Sequence, residues 1–419
     1  MNLLLLIIGS MAVLYLGYRF YGNFLSRLLG LRDDRPTPAC TLRDDVDFVP
    51  AGKWYLLGQH FSAIAAAGPI VGPILAGMWF GWLPTLLWIL LGGIFIGGVH
   101  DMLTVAASVR HQGKSIAEVL REYMSKRAYL LFLLFLWFSL VYIITTFMDI
   151  TAGTFTDPVR GAGVASSSMM YLGLAVAMGI ILRKFNPPLG ITTVVFLPLV
   201  FVAVWLGPHF PISMPSFGSL DPRGAWNGAL LIYCFIAAVI PMWLLLQPRG
   251  YLGGFFLTFM VGVSLLGIIV GNFVEPFVVQ YPVFTGWVSP GGFPILPLLF
   301  TTVACGACSG FHAMVSSGTT SKQIAKESDI KLVGYGGLLL ESVVAVIALA
   351  TVLILTTEKA GALEDPNQVF AHGVSVFLSR LGVPTELALN FALLAFATFV
   401  YDTLDVATRL GRYIFEELT

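Results

Sequence analysis

The sequence predicts an all-α polytopic membrane protein with about eleven transmembrane helices. Three observations predict this fold class: 57% of the 419 residues are hydrophobic, only 11% are charged, and long apolar runs recur along the chain. A soluble domain carries about 25% charged residues and cannot hide so much apolar surface. The 23 basic and 23 acidic residues cancel, which gives no reason to expect nucleic acid as a partner. The expected partner of this surface is the lipid bilayer.

Each predicted helix is an apolar run of about 20 residues, the length that crosses the hydrocarbon core. The start of the chain is the first of them, because neither a preceding basic residue nor a following cleavage site marks a signal peptide. The apolar run at 368–380 is too short to cross and is expected to lie at the membrane interface. The eleven predicted helices cover residues 2–21, 56–79, 83–105, 128–151, 166–185, 189–207, 226–247, 250–272, 293–318, 333–356 and 385–406.

The positions of Lys and Arg predict the orientation, because positively charged loops stay in the cytoplasm. With the first loop placed inside, the cytoplasmic loops hold 19 of the 23 basic residues, Arg249 and Arg409 among them. The outside loops hold the other four, Arg160, Arg223, Lys359 and Arg380. The N-terminus is therefore expected outside and the C-terminus in the cytoplasm.

The second predicted helix is expected to break halfway through the membrane. It contains the run AAAGPIVGPILAG, whose helix breakers are Gly68, Pro69, Gly72 and Pro73. Each proline removes a helical hydrogen bond, which frees carbonyls around Ala65 and Ala66. Unpaired backbone in hydrocarbon is tolerated only where protein or a wet cavity covers it. A simple proline kink is the alternative interpretation, and Pro241 in the seventh helix is a weaker signal of the same kind.

The ninth predicted helix, ACGACSGFHAMVSSGTTSK, combines small residues with a histidine and hydroxyls. Small residues such as Ser309 allow close helix packing, which is the simpler interpretation. A titratable side chain deep in a span is a functional candidate, so His312 is expected to contact the substrate or the coupled proton. The alternative is a structural histidine. Glu341 is a candidate on the same ground, with a bond to hydroxyls of the ninth helix as its alternative.

A sodium site is the second expectation for the ninth helix. The hydroxyls of Ser316, Ser317 and Thr319 are expected to bind sodium together with the freed carbonyls of the second helix. Without sodium they would cap the helix or bond back to the preceding turn. No bound metal is expected at Cys305, Cys308 and His312, because a structural zinc site needs four ligands.

The remaining acidic residues in or near the spans are expected to lie closer to water. Asp101 and Asp405 are near cytoplasmic helix ends, where Arg110 and Arg409 are close in sequence. They are candidates for gating ion pairs, with ordinary interfacial salt bridges as the alternative, and Asp405 is included among the candidate ion-coupling residues. Asp149 and Asp402 are expected to snorkel toward water.

The arrangement of the predicted helices allows an inverted repeat. The seventh helix comes five crossings after the second, an odd number, so the two run in opposite directions. A broken helix opening each of two inverted five-helix repeats is a recurrent plan of secondary transporters, whose sites lie at the breaks. Half-helix N-termini favour a carboxylate, and freed carbonyls favour a cation. A single transporter domain is expected over 1–419, with a leading helix at 1–21 and repeats at 56–207 and 226–406.

Several segments resemble the carbon starvation protein A family. They are GQHFSAIAAAGPIVGPILAG at 58–77, VHDM at 99–102, IPMWLLLQPRGYL at 240–252, CGACSGFHAMVSSGTTSKQIAKESD at 305–329, GYGGLLLES at 334–342 and LDVATRLGRYI at 404–414. The resemblance implies a bacterial inner-membrane transporter, with peptide uptake during starvation and proton-coupled pyruvate uptake as the family's activities. It also implies kinship with the large amino-acid and cation symporter superfamily, the APC superfamily with its LeuT-like fold.

The chain departs from the family in two ways. Typical members continue with further helices after the LDVATR-like motif, so a truncated chain, or C-terminal helices on a separate chain, is left open, as is a homo-oligomer. Gln59 stands where family members commonly show a second histidine before His60, which argues against a paired-histidine role.

The sequence therefore predicts an ion-coupled symporter for a small carboxylate such as a peptide or pyruvate. The coupling ion is a proton or sodium, no cofactor is expected, and no enzyme constellation is present. The substrate carboxylate is expected against the half-helix end at 68–72, with His312 and the seventh helix around Pro241 completing the pocket, while helices 2, 3, 7 and 8 tilt during transport. The candidate substrate-binding residues are Ala66, Gly68, Pro69, Gly72, Pro73, Pro241, Ser309 and His312. A channel and a nutrient sensor with the same pocket are the alternatives.

Overall fold

The fold is entirely helical in a computed structural model that describes residues 1–65, 67–216, 221–363 and 365–418, without the side chain of Phe399. Only isolated β-bridges occur in this part of the chain. In chain order the helices are α1 (Leu3–Leu29), α2 (Lys53–Ile64), α3 (Gly68–Phe80), α4 (Trp82–Arg110), α5 (Lys126–Phe155), α6 (Gly161–Phe185), α7 (Leu189–His209), α8 (Pro222–Val239), α9 (Leu246–Val274), α10 (Ile295–Thr302), α11 (Gly310–Val315), α12 (Lys331–Leu353), α13 (Pro366–Ser379) and α14 (Thr385–Leu418). Four short helices lie between them, at Pro38–Thr41, Ile116–Leu120, Arg121–Tyr123 and Thr357–Ala362.

The protein is a multi-pass membrane protein, although the predicted count of eleven crossings is not confirmed. Among the described residues, 8 helices are long and apolar enough to cross a membrane, and the bent pair α2 and α3 raises the number to 9. The predicted seventh crossing corresponds to α8, which has 18 residues and begins with polar ones. The predicted ninth crossing is divided between α10 and α11. The inverted repeat remains a prediction.

The second crossing breaks where the sequence predicts. Helix α2 ends at Ile64, and Ala65 leaves the helical region with φ −84° and ψ 59°. Helix α3 begins at Gly68 with Pro69 in its first turn, where the missing proline N–H costs no helical hydrogen bond. The two helices are bent by 46°. Ala66, one of the predicted site residues, lies outside the described residues. The carbonyl of Ala63, left free by the break, accepts a hydrogen bond from the Thr403 hydroxyl at 3.0 Å.

The structure contains a second helix break, within the predicted ninth crossing, that the sequence does not predict. Helix α10 ends at Thr302, and residues 303–309 form turns before α11 begins at Gly310. This segment is rich in small residues. In the sequence they indicate close helix packing and not a break. Helix α11 continues directly into a π-helical turn over Ser316–Thr320.

The core of the molecule lies around two helices. The apolar stretch of α12 is 89% buried and that of α14 is 76% buried, whereas the corresponding stretch of α5 is only 17% buried. Helices with mostly exposed apolar side chains suit a peripheral position in contact with lipid, because hydrocarbon imposes no penalty on them. Helix α12 is therefore a central element, and the candidate site lies next to it.

The short helix α13 packs inside the protein. Its apolar face, with Val369, Phe370 and Phe377, is buried against the neighbouring helices. It is 14 residues long, about 21 Å, which is too short for a hydrocarbon core of about 30 Å. Its predicted depth at the membrane interface remains a prediction.

Candidate functional site

The two breaks meet each other. A Cβ atom on Gly68 would lie 2.4 Å from the Cys305 sulfur, and one on Gly72 would lie 2.2 Å from the Thr302 carbonyl oxygen. Real Cβ atoms do not approach so closely, so only glycine lets the first turn of α3 contact the segment that follows α10. Gly306 lies against Pro69 in the same contact. Residues predicted as substrate-binding therefore face the second break instead of an open cavity, and their role remains a prediction.

His312 lies between two carboxylates beside this junction. Its Nδ1 is 2.9 Å from Asp101 Oδ2, and its Nε2 is 3.3 Å from Glu341 Oε2. All three side chains are 0% exposed. They come from α11, α4 and α12, so three helices must pack correctly to assemble the cluster. The second oxygen of Asp101 is 2.9 Å from His100 Nδ1, which leaves Asp101 well bonded.

Glu341 is the unsatisfied member of this cluster. Neither of its oxygens makes a hydrogen bond to the part of the chain that the structure describes, and His312 Nε2 lies within ion-pair distance without the alignment of a hydrogen bond. A buried polar group without a partner is costly, so such atoms favour a proton or a ligand that bonds to them. The predicted alternative, a bond from Glu341 to hydroxyls of the ninth helix, does not occur. Ser342, its neighbour, donates to the Gly306 carbonyl at 3.1 Å.

The side chains that lie close enough to share a metal ion differ from the group considered in the sequence. Ligand atoms of Cys305, His312 and Glu341 lie within 4.8 Å of one another. Cys308, which the sequence groups with Cys305 and His312, is not in the set, and Glu341 takes its place. A closed zinc site has four protein ligands, and within the described residues this cluster supplies three. The absence of a bound metal remains a prediction.

The hydroxyl groups of the ninth predicted helix mainly donate hydrogen bonds to carbonyls of the preceding helical turn. Ser317 donates to the Ala313 carbonyl at 2.7 Å and Thr319 donates to the Val315 carbonyl at 3.1 Å. This is the alternative that the sequence left open for them. The Ser316 hydroxyl is buried without a hydrogen-bond partner. Their part in sodium binding remains a prediction, as does a substrate contact of Ser309, which lies in the break itself.

His60 is a second buried histidine that the sequence analysis did not select. It is 0% exposed. Its Nδ1 is 2.8 Å from the Thr320 hydroxyl, and its Nε2 has no hydrogen-bond partner. It lies against Gly337, at the start of the helix that carries Glu341. Its position within a span, on the same basis as His312, was the signal that could have identified it.

A second charged cluster lies on the other side of the broken helix. Arg249 Nε is 2.7 Å from Asp402 Oδ1, Arg249 Nη1 contacts Asp405 Oδ2, and all three side chains are buried. The guanidinium stacks on the Tyr401 ring at 4.1 Å. Ser62, in the last turn of α2, donates to Asp402 Oδ2 at 2.6 Å. This cluster is therefore attached directly to the end of the half-helix.

Three expectations about these residues are wrong. Arg249 is not a loop cation, because α9 begins at Leu246 and its first turn is buried. Asp402 does not snorkel toward water, since its helix face is turned toward the inside of the protein, where it is 4% exposed. Asp405 forms an ion pair with Arg249 and accepts a hydrogen bond from Tyr233. It does not pair with Arg409, which lies one turn along the same helix.

The cations expected to pair with Asp101 and Asp405 have other partners. Arg110 is 3.1 Å from Glu327 Oε1, and Arg409 is 2.9 Å from Asp47 Oδ1. Burial raises the pKa of the Asp47 carboxyl, but a hydrogen bond from Tyr413 and the charges of Arg412 and Arg409 outweigh it and hold that pKa below its usual value. These ion pairs tie loops to helix ends and leave Asp101 and Asp405 to the two inner clusters.

Pro241 lies away from the contacts of His312. The turn that contains it follows α8, and Met242 donates its N–H to the Val46 carbonyl at 3.0 Å. Arg409 contacts the Ile240 carbonyl, so this turn is held by the loop with Asp47 and by α14. Among the described polar contacts, none joins the turn to His312. The substrate-binding role of Pro241 remains a prediction.

A small hollow lies beside the broken second helix. Its volume is about 10 Å³, and it borders the Arg249 cluster. This volume holds about one water molecule. It is lined by Gln59, Ala63, Leu246, Arg249, Gly250, Asp402, Asp405 and Val406. The hollow is therefore on the Arg249 side of the break and not at Gly72, whose replacement by leucine would disrupt packing rather than fill an open pocket.

Comparison with known proteins identifies the family of this chain. The family described as carbon starvation protein CstA matches residues 2–369. The peptide transporter CstA of Bacillus subtilis strain 168 is 34% identical over 458 residues, with coverage of 100% of this chain and 75% of the relative. The peptide transporter CstA of Helicobacter pylori strain J99 is 35% identical over 475 residues, with coverage of 100% and 68%.

A relative with a different name is similar to the same degree. The pyruvate/proton symporter BtsT of Escherichia coli K12 is 34% identical over 369 residues, with coverage of 86% of this chain and 50% of the relative. No solved structure matches the chain. The resemblance seen in the sequence motifs is thus confirmed over most of the chain's length, and the protein belongs to the carbon starvation protein A family.

Proposed function

We propose that this protein is an ion-coupled symporter that imports small carboxylate-bearing nutrients, with short peptides and pyruvate as the substrate candidates. The observation that carries the proposal is the contact between two interrupted helices, with a buried charged cluster on each side. Interrupted helices near the middle of the membrane are where secondary transporters bind substrates and ions. Ionisable side chains there are costly and mark such sites.

The closed state of the site suits a carrier. The hollow beside the second-helix break is about 10 Å³ and holds about one water molecule. A carrier with alternating access passes through a state in which its site is closed. The substrate would enter as the two breaks separate. Tilting of the second, third, seventh and eighth predicted crossings, which correspond to α2 with α3, α4, α8 and α9, would open the site to either side.

The residues proposed from the sequence have positions that suit this mechanism. Backbone of Gly68, Pro69, Gly72 and Pro73, with Ser309 and His312, would border the substrate as the breaks separate. Glu341 and Asp405 would take part in binding the coupled ion, because both are buried carboxylates next to the breaks. If the ion is sodium, Ser316, Ser317 and Thr319 are the additional oxygen donors.

The names of the relatives supply the two substrate candidates. Relatives are named peptide transporters and a pyruvate/proton symporter, and the family name gives the link to carbon starvation. We propose the same activities for this chain, with the protein in the bacterial inner membrane. We propose that transport needs neither a cofactor nor an enzymatic activity. A nutrient sensor would use the same site, and measurement of transport separates the two functions.

The test is uptake into proteoliposomes that contain the purified protein. Labelled pyruvate and labelled dialanine are supplied separately, with proton and sodium gradients imposed one at a time. We expect concentrative uptake of one of the two substrates, which saturates and collapses when an uncoupler removes the driving gradient. Empty liposomes are the control. Uptake of neither substrate under either gradient would contradict the proposed function, and binding without uptake would favour a sensor.

A further inference from the structure

The Arg249 cluster carries one more negative charge than positive charge. Two carboxylates, Asp402 and Asp405, share one guanidinium, and the three side chains are between 1% and 4% exposed. An uncompensated charge in a buried site is strongly unfavourable. The nearest further cation along α14, Arg409, is bound to Asp47 at 2.9 Å. The cluster therefore favours a cation, and a proton is the cation that neutralises one carboxylate by a covalent O–H bond without placing a separate positive ion beside the guanidinium.

The two carboxylates are not equivalent. Both oxygens of Asp405 are bonded, one to Tyr233 and one to Arg249 Nη1. Asp402 Oδ2 accepts from Ser62 at 2.6 Å and from Tyr171 at 3.4 Å. Asp402 Oδ1 lies 2.7 Å from Arg249 Nε but makes no aligned hydrogen bond. Asp402 Oδ1 is thus the carboxylate oxygen of this pair that is held by charge alone, without an aligned hydrogen bond.

Arg249 has unused donors on the same edge. Its Nε and Nη2 make no aligned hydrogen bond, although both are buried. These two nitrogens form the edge of the guanidinium that binds a carboxylate in a bidentate manner. Tyr401 stacks on the plane of the group at 4.1 Å and fixes its orientation. Asp402 occupies the place in which an external carboxylate would bind to this edge.

We propose that Arg249 binds the substrate carboxylate and that Asp402 releases Arg249 by taking up the coupled proton. The proton forms the O–H bond of a neutral Asp402 carboxyl group, and the substrate carboxylate replaces Asp402 at Nε and Nη2. The net charge of the buried cluster is the same before and after, because one anion and one proton enter together. Either one alone would change the buried charge, which is the physical reason for coupling.

The groups around Asp402 and its partners Arg249 and Asp405 define what else titrates or carries charge there. Ser62 of α2, Tyr171 of α6, Arg249 of α9 and Asp405 of α14 act on Asp402 itself, and Gln59 of α2 lines the same hollow. Tyr233 and Cys234 of α8, and Tyr401 and Arg409 of α14, face Arg249 or Asp405. Asp405 keeps its two bonds during the exchange, so its part in ion coupling is to keep one carboxylate paired with Arg249 while Asp402 binds the proton.

The inference rests on the proposed function and is tested by binding. Affinity of the purified full chain for labelled pyruvate and for dialanine is measured as a function of pH. For the wild type we expect affinity to fall about tenfold per pH unit on the alkaline side, because one proton is bound with each substrate anion. Asp402→Asn should bind with an affinity that does not depend on pH, and should exchange substrate without proton-driven accumulation.

Two further variants separate a functional role from a structural one. Arg249→Lys keeps the charge but loses the bidentate edge, so affinity should fall at least about tenfold while the pH dependence stays. Ser62→Ala removes a donor to the Asp402 carboxylate, so half-maximal binding should shift to higher pH even if Asp402→Asn does not fold. Asp149→Asn is the matched control, because Asp149 pairs with Arg223 at 2.6 Å in an exposed position.

The possible outcomes are distinct. Wild-type pH dependence in Asp402→Asn, an unshifted midpoint in Ser62→Ala, or wild-type affinity in Arg249→Lys would each overturn the inference while the proposed function stands. A wild-type protein that neither binds nor transports either compound would overturn both. Competition by pyruvamide, which lacks the carboxylate, should be weak, and strong competition would also contradict carboxylate recognition by Arg249.

Discussion

At the scale of single residues, buried charges depend on their immediate partners. His312 is bonded by Asp101 through Nδ1 and approached by Glu341 at Nε2. A histidine placed in this way can hold a positive charge that two carboxylates share. Removal of such a buried counterion leaves unpaired carboxylates, which costs about 3–5 kcal/mol in measured cases. The residue thus affects stability as well as transport.

We expect His312→Gln to reduce uptake at least about tenfold, because glutamine can donate a hydrogen bond but cannot carry the charge between two carboxylates. His312→Ala should lose uptake and stability together. Initial uptake rates and the melting temperature in detergent measure the two effects. His209→Gln is the control, because His209 is exposed and its one hydrogen bond among the described residues is to the Trp205 carbonyl. Uptake by His312→Gln equal to that of the wild type would remove this residue from the mechanism.

Outside the membrane-spanning helices, protonation of Glu327 should make the stability of the fold depend on pH. Burial raises the pKa of its carboxyl, but hydrogen bonds from Arg110, the Arg32 amide and Arg35 outweigh burial and hold that pKa below its usual value. The ionised carboxylate therefore stabilises the fold above the unfolded glutamate pKa of about 4.3. This contribution is lost as pH falls through the lower pKa of the folded state.

Replacement of Glu327 by glutamine should lower the free energy of unfolding by about 1–3 kcal/mol at neutral pH, since bonds to charged partners are lost. The partial exposure of Arg35 and Arg110 places the expected value toward the lower end. Thermal melting at neutral and at acidic pH should show the gap to the wild type closing on acidification. A constant gap would contradict the ion-pair explanation. Asp34→Asn, in an exposed pair with Arg32, should change nothing.

At the scale of elements, glycines allow α2 and α9 to approach closely. Gly250 and Gly254 are four residues apart on α9 and face Gln59 and Gly58 of α2. This is the small-residue spacing that brings membrane helices together. A Cβ atom on Gly254 would lie 2.3 Å from the Gly58 carbonyl oxygen. The contact holds the half-helix α2 against the helix that carries Arg249.

A single methyl group at this contact should separate the two helices. We expect Gly254→Ala to destabilise the protein by about 1–3 kcal/mol, because the backbone of Gly58 has to move. Gly262→Ala on the same helix is the control, since nothing lies within 4 Å of its Cβ position. An alanine there should be neutral or slightly stabilising, because it favours the helix by about 0.5–1 kcal/mol. Equal melting temperatures for the two variants would show that this contact is not tight.

At the scale of the whole molecule, charge distribution is expected to set the orientation in the membrane. The eleven predicted crossings would put 19 of the 23 basic residues on the cytoplasmic side. Arg249 and Arg409 are buried in the protein, so they do not act as loop charges. Seventeen basic residues against four then remain, which still favours one orientation strongly.

We therefore expect the N-terminus outside and the C-terminus in the cytoplasm. A C-terminal green fluorescent protein should fluoresce in cells, and an alkaline phosphatase at the same position should be inactive. Phosphatase fusions in the segment around Lys359, expected outside, are the control for an active reporter. An active phosphatase at the C-terminus would contradict this topology, because it requires either the opposite orientation or an even number of crossings.

The sequence by itself determined the membrane class, most long helices, the break at Gly68 and Pro69, and His312 and Glu341 as buried candidates. These features depend on local properties, namely apolar length, backbone chemistry and the cost of a charge in hydrocarbon. Only the tertiary structure decided that Asp101 pairs with His312, that Asp402 and Asp405 share Arg249, and that the second break meets the first. Such pairings depend on how each helix is rotated and how deep it lies, which packing between distant segments sets and local sequence does not encode.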